Sequence, residues 1–180
     1  MKCTTCKGTT SLRTESSYHY VESGLDNVYL KNLSVRVCDS CGGKSLLLPR
    51  IVSLHAAIGK AVAMQPCPLK GSDIRFLRKQ LGFSAKDWAS ILRTDTSTLS
   101  RWENSQQSVG TQSDTLIRLL YFRILDEQDG KLSQEQVVEA VAAVKTDCSV
   151  NLNVNINHPN TYQYQIFGAN NGDLKPQFPA

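Results

Sequence analysis

The chain of 180 residues contains no run of about 18 or more apolar residues, the length a membrane-spanning helix needs, so no membrane span is expected. Its opening residues, Met-Lys-Cys-Thr-Thr-Cys, lack the apolar core of a secretory signal, which implies a cytoplasmic protein. Aromatic residues are scarce at 7%, although an apolar content of 41% is enough for a folded core. A disulfide framework is not expected from six cysteines in a reducing compartment. Four of them form two Cys-x-x-Cys pairs, while Cys67 and Cys148 stand apart.

Net charge is only +4, and its placement says more than its size. Residues 70–123 hold nine Lys and Arg against five Asp and Glu, which is the whole excess; the remainder balances at 11 of each sign. A locally basic region in an otherwise neutral chain is the pattern of a nucleic-acid-binding module. The length fits two small domains with appendages better than one large one. The expected fold class is α+β and multidomain. Residues 1–45 form a metal-stapled β module, 46–69 a connector helix and linker, and 70–125 a mainly α helix-turn-helix bundle. Residues 126–180 follow as a C-terminal helix with an Asn-rich hairpin or tail.

In the first module, Cys3-Thr-Thr-Cys6 and Cys38-Asp-Ser-Cys41 each bend naturally into a knuckle that points two thiolates at one centre. Two knuckles make a closed tetrahedral S₄ site, the arrangement favoured by one structural zinc ion; iron in a rubredoxin-like electron carrier stays open as the alternative. Four sulfurs leave no open position for water, so zinc catalysis is disfavoured and no enzyme is expected. Neither pair lies in a βαβ setting, which argues against thioredoxin-type redox chemistry. The Gly42-Gly43 pair permits positive φ after the second knuckle. Short strands are expected at Tyr18–Val21, Val28–Leu30 and Leu33–Val37, with turns at Gly24 and Asp26-Asn27. His19 reads as a surface or packing residue, not a ligand.

Leu47, Ile51, Leu54, Ile58 and Val62 recur at helical spacing, which predicts a helix from about Pro49 to Met64, with Pro49 in its first turn. Gly59 weakens that helix by roughly 1 kcal/mol relative to alanine. Gln65-Pro66-Cys67-Pro68 breaks it, with Cys67 read as an exposed or half-buried thiol. His55 lies on the polar side. Four helices follow: one capped by Ser72 or Asp73 and ended by Gly82, one capped by Ser84, one capped by Asp95, and one opened by Ser113 or Asp114. Ser84–Ser105 thus reads as two short helices joined by a tight turn. Trp88, Leu99 and Trp102 lie on their inner sides as core residues.

Further on, Ser133-Gln134-Glu135-Gln136 is a capping box that opens another helix. Val150, Leu152, Val154 and Ile156 then alternate with Asn151, Asn153, Asn155 and Asn157, the pattern of a half-buried strand. Tyr162, Tyr164 and Ile166 alternate again after His158-Pro159-Asn160, so a hairpin is one reading and an Asn-rich disordered tail the other. An isolated hairpin is marginal and needs a surface to pair with, expected on a sister subunit or a partner.

Ala89, Leu99 and Trp102-Glu103 occupy the small, apolar and Trp-Glu positions of phage-repressor-like helix-turn-helix domains. Together with the two Cys-x-x-Cys pairs and the connector, residues 1–125 resemble the MqsA (YgiT-type) antitoxin family, whose Ser-Arg-Tyr-Glu is similar to Ser100-Arg101-Trp102-Glu103. Four positions depart from that pattern: Ala85 replaces a glutamine, Arg93 the turn glycine, Ser97 a base-reading asparagine and Ser105 a glycine at the helix exit. The resemblance implies a homodimeric repressor on a palindromic double-stranded DNA operator, with half-sites about one helical turn apart. It also implies that the metal module blocks a ribonuclease toxin of the shared operon. On that reading the third helix of the bundle enters the major groove. Arg101 is then placed for bidentate contact with guanine O6 and N7, with Thr96, Ser97 and Thr98 against bases or phosphates. Ser84, Lys86 and Ser100 fix register on the backbone. A stand-alone phage or host regulator with a purely structural zinc module is the alternative.

Overall fold

A computed structural model describes residues 2–48, 50–129, 133–144, 149–156, 163–168 and 173–174. The described residues form an α+β fold with six α-helices and one mixed sheet. The expected turn His158-Pro159-Asn160, together with Pro49 and Cys148, lies outside the described residues.

Strands β1 (Thr10–His19) and β2 (Val28–Cys38) form a long antiparallel pair joined by a 3-10 turn at Val21–Ser23. The separate short strands expected at 28–30 and 33–37 are one strand, and β1 extends well before Tyr18. Asn32 explains why the pattern looked split. It adopts φ 57°, so the buried positions shift from Val28 and Leu30 to Leu33 and Val35. A left-handed residue inside a strand is tolerated best by Asn or Gly, and here it switches the phase of the alternation. The short β3 (Lys44–Leu46) pairs with the distal half of β2.

The opposite half of that same edge receives a strand from the far end of the chain. β4 (Val150–Asn155) runs parallel to β2, with Val28 opposite Leu152 and Lys31 opposite Asn155. The hydrogen bonds Leu152 N to Asn27 O, 2.8 Å, and Ile156 N to Lys31 O, 3.1 Å, frame the pairing. The buried Asn27 amide donates to Val150 O at 3.0 Å. β5 (Gln163–Gly168) and β6 (Asp173–Leu174) continue the sheet in antiparallel fashion. The hairpin therefore pairs within its own chain, on the sheet of the cysteine module.

Helix α1 (Ile51–Met64) lies at the centre of the molecule, packed on α2 (Gly71–Gln80), α5 (Thr111–Asp129), α6 (Gln134–Ala142) and strands β4 and β5. Gly59 is where α5 comes closest: a Cβ there would sit 2.0 Å from the hydroxyl of fully buried Tyr121. Its helix-weakening effect is offset by an approach that no larger residue permits. One apolar core runs continuously from Leu30 and Val154 in the sheet, through Ile58 and Val62, to Trp88, Leu99 and Ile117.

Residues 65–69 are not a loose linker. Arg118 of α5 is fully buried and donates to the carbonyls of Ala63, Gln65 and Cys67 at 2.8, 2.7 and 2.5 Å. Its charge is matched by Asp114 at 2.6 Å, and Asp114 in turn accepts the Leu69 amide at 2.6 Å. Asp114 is thus an internal anchor, while α5 itself begins at Thr111. Cys67 is buried and disulfide-bonded, not an exposed thiol. Arg118 accordingly contributes nothing to the basic surface inferred from charge counting.

Candidate functional site

The two cysteine knuckles are built alike. In the first, Cys3 N donates to Gly8 O at 2.8 Å and Lys7 N to Cys3 O at 3.1 Å; in the second, Cys38 N donates to Gly43 O at 2.9 Å and Gly42 N to Cys38 O at 3.0 Å. The residue after each second cysteine is left-handed, Lys7 with φ 62° and Gly42 with φ 69°. The expected role of Gly42 is met, and Lys7 fills the matching place without being a glycine. Asp39 N donates to Thr9 O at 3.0 Å, which fixes one knuckle against the other.

All four sulfurs lie within 4.8 Å of one another, with Cys3 to Cys41 at 3.8 Å and Cys6 to Cys38 at 3.3 Å. Tetrahedral ligation with metal–sulfur bonds of about 2.3 Å spaces sulfurs by about 3.8 Å, so the cluster fits a single metal ion. Backbone amides of Cys6 and Thr5 hold the Cys3 thiol at about 6, and those of Cys41 and Ser40 lower Cys38. At Cys6 the Gly8 amide favours the thiolate, but hydrogen bonding with the neighbouring cysteines outweighs it and pushes the thiol to about 12. Without a cation the cluster resists carrying four negative charges; a divalent metal removes that repulsion.

The second feature is the pair α3 (Ala85–Ile91) and α4 (Thr96–Glu103). Ser84 caps α3 by accepting the Asp87 amide at 3.1 Å, and its hydroxyl donates to the Asp87 carboxylate at 2.6 Å. For α2 the cap is Lys70, not Ser72 or Asp73; Asp73 is the buried third residue whose carboxylate accepts the Lys70 amide at 2.9 Å. Helices α2, α3 and α4 end in the same way. Gly82, Arg93 and Ser105 are left-handed at φ 77°, 53° and 56°, and the next amide reaches back to Arg78, Ala89 and Arg101 carbonyls respectively. This is the Schellman arrangement, which glycine fits without steric cost. Arg93 and Ser105, neither of them glycine, adopt the glycine conformation nonetheless.

Three side chains of α4 point inward: Leu99, Trp102 and Glu103. Glu103 accepts two bonds from Arg78 of α2, at 2.6 and 2.9 Å, while the remaining Arg78 nitrogen donates to Phe83 O at 2.9 Å. The pairing keeps Arg78 more firmly protonated than usual. At the exit of α4, Asn104 accepts from Arg75 at 2.6 Å and donates to Ser100 O at 2.8 Å. These bonds lock the orientation of α4 relative to α2.

What α4 turns outward is small and polar. Thr96, Ser97, Ser100 and Arg101 are exposed and Thr98 is half-buried; Ser84 and Lys86 are exposed on the adjoining start of α3. Among the described residues the Arg101 side chain has no hydrogen bond or ion pair. Sequence reasoning missed Lys7, Arg78 and Arg118. Only the Trp-Glu pattern hinted at Arg78, by requiring a partner for a carboxylate on an inward face.

No protein-family model matches the chain, and neither does any curated protein or solved structure. No described helix is long and apolar enough to cross a membrane.

Proposed function

We propose that the protein is a sequence-specific DNA-binding transcriptional repressor, non-enzymatic, in which α3 and α4 act as a helix-turn-helix. The observation that carries this reading is the outer face of α4. It presents an unpaired arginine amid small polar side chains on a helix whose inner face and exit are fixed by Trp102, Glu103 and Asn104. Small neighbours let a helix enter the major groove, and a free guanidinium can there bind guanine O6 and N7 together. Thr96, Ser97 and Thr98 would meet bases or phosphates, with Ser84, Lys86 and Ser100 setting register on the backbone. A homodimer would place two such helices on a palindromic operator. The single metal is zinc, held structurally by Cys3, Cys6, Cys38 and Cys41, since an all-sulfur tetrahedral set suits it.

In this proposal the protein is an antitoxin that represses its own operon and neutralises a ribonuclease toxin, as its resemblance to the MqsA family implies. A second reading keeps DNA binding and drops the toxin. It is favoured by β4, which occupies part of the β2 edge within the chain and gives the metal module an internal structural task. A mobility-shift assay on DNA upstream of the reading frame tests the common core of both. Arg101→Ala should abolish the shift while leaving the circular-dichroism spectrum intact; an undiminished shift would sink the assignment. Co-purification of a small ribonuclease expressed from a neighbouring frame separates the two readings.

A further inference from the structure

The Asn–apolar alternation of β4 has no place in the DNA reading, yet the sheet gives it one. On the face turned away from the core, strand pairing sets His19, Tyr29, Asn153 and Gln165 in one row across four strands. The neighbouring row runs Ser17, Lys31 and Asn155. The His19 and Tyr29 rings are stacked, with centroids 4.8 Å apart and planes at 17°. The Lys31 ammonium lies 5.9 Å from the Tyr29 ring centre and donates to Ser17 at 2.9 Å. Further along β2 the phase shift at Asn32 keeps Arg36 on the same side. Among the described residues of β1, β2, β4 and β5 on this face there is no Asp or Glu; Asp173 of β6, opposite Phe167 and so in the Asn151 row, stands at the far edge of the sheet.

A solvated sheet face usually mixes both charge signs. This one keeps Lys31 and Arg36 on strands that carry no carboxylate on this face, beside a preformed aromatic stack and a file of amides. We propose that it is a binding surface for single-stranded RNA, separate from α4. An unpaired base stacks on the His19–Tyr29 platform, exposed at His19 and half-buried at Tyr29, and Lys31 and Arg36 attract the phosphates by charge complementarity. The amides of Asn153 and Gln165 each offer a donor and an acceptor, and Asn155, whose Oδ1 accepts from Asn32 at 3.0 Å, offers its donor, which matches base edges and the 2′-hydroxyl that distinguishes RNA from DNA. The asparagines of β4 are there because that strand completes this face while its valines and leucine fill the core.

The test is fluorescence anisotropy with the full metal-loaded chain and a short labelled single-stranded RNA of mixed sequence at low salt. Saturable binding is expected, with Tyr29→Leu weakening it about tenfold, the scale of one stacked base. Lys31→Ala should lower the salt-dependence slope by about 0.7, the share of one phosphate on a single strand. The isosteric Asn153→Asp, which adds a carboxylate to the face, should weaken binding even if Tyr29→Leu fails to fold. Arg101→Ala should bind RNA as wild type does, which separates this surface from the α4 interface. Absence of saturable binding would overturn the proposal, as would equal affinity for single-stranded DNA of the same sequence. So would RNA binding that is lost with Arg101→Ala but indifferent to Lys31→Ala and Asn153→Asp.

Discussion

The sheet with its cysteine cluster and the helical bundle solve the same problem, too little local core, in different ways. Each knuckle buries only one of its cysteines: Cys3 and Cys38 are buried, Cys6 and Cys41 are exposed, and most of β1 is exposed as well. Four converging thiols hold that end together, and a strand from residues 150–155 pairs with the opposite end of β2, at Val28–Lys31. The bundle instead fixes its short helices with buried charges, Arg118 with Asp114 and Arg78 with Glu103. Metal-dependent structure should therefore fail as a unit when the metal goes. Charge-locked structure should fail one contact at a time.

The largest effect is expected from the metal end. Removing the metal with a chelator, or replacing Cys38 by serine, should unfold the sheet while much of the helical signal persists. Apparent binding energies of structural zinc are on the order of 10 kcal/mol, and the knuckle end of the sheet, with Cys6, Cys41 and most of β1 exposed, has little else to replace them. Because β4 pairs with β2, amide exchange should accelerate at residues 150–155 together with 28–38, although more than a hundred positions separate them. Fast exchange in 28–38 with protection retained in 150–155 would break the comparison.

Next in size is the buried arginine. Arg118→Ala should cost about 3–5 kcal/mol in denaturant unfolding, because it strands the Asp114 charge and three carbonyls at once. Replacing Arg118 and Asp114 together by apolar residues should recover part of that loss.

A pH effect sits at the junction of the two regions. His55 of α1 is bonded to Tyr20 at 3.0 Å and meets the edge of Phe76, and burial lowers its pKa from the ordinary 6.5. Its neutral form is thus the one the fold favours. The stabilisation is present above pH 6.5 and is lost as pH falls through the lower folded value. Thermal melts should show this decline in the wild type, and His55→Gln should remove that component.

The smallest effect concerns the turn between α3 and α4. Arg93→Gly should raise stability by about 1 kcal/mol, the scale of the steric penalty for a left-handed side chain. A loss of stability would mean that the Arg93 side chain, not its backbone, matters.

Much of this was legible in the residues, for identifiable reasons. Helices announce themselves over several turns, so α1 to α6 follow from periodicity and from caps such as Ser84 and the Ser133–Gln136 box. The metal cluster follows from two local knuckles whose meeting needs little more than an antiparallel pair. What stayed hidden depends on distant partners. Nothing in Val150–Asn155 names β2 as its neighbour, and Arg118 looks identical to a surface arginine until Ala63, Gln65 and Cys67 are seen around it. Asn32 hid one strand as two, because a single left-handed residue shifts the period.

The account turns on whether Arg101 reads a base. Its most direct measurement is an operator scan, in which each guanine of a half-site is replaced and affinity compared between wild type and Arg101→Ala at one salt concentration. Wild type should lose about 1–3 kcal/mol at one guanine per half-site, and the variant should be indifferent there while keeping its other preferences. Equal discrimination by the two proteins at every guanine would contradict the assignment of α4 as the reading helix.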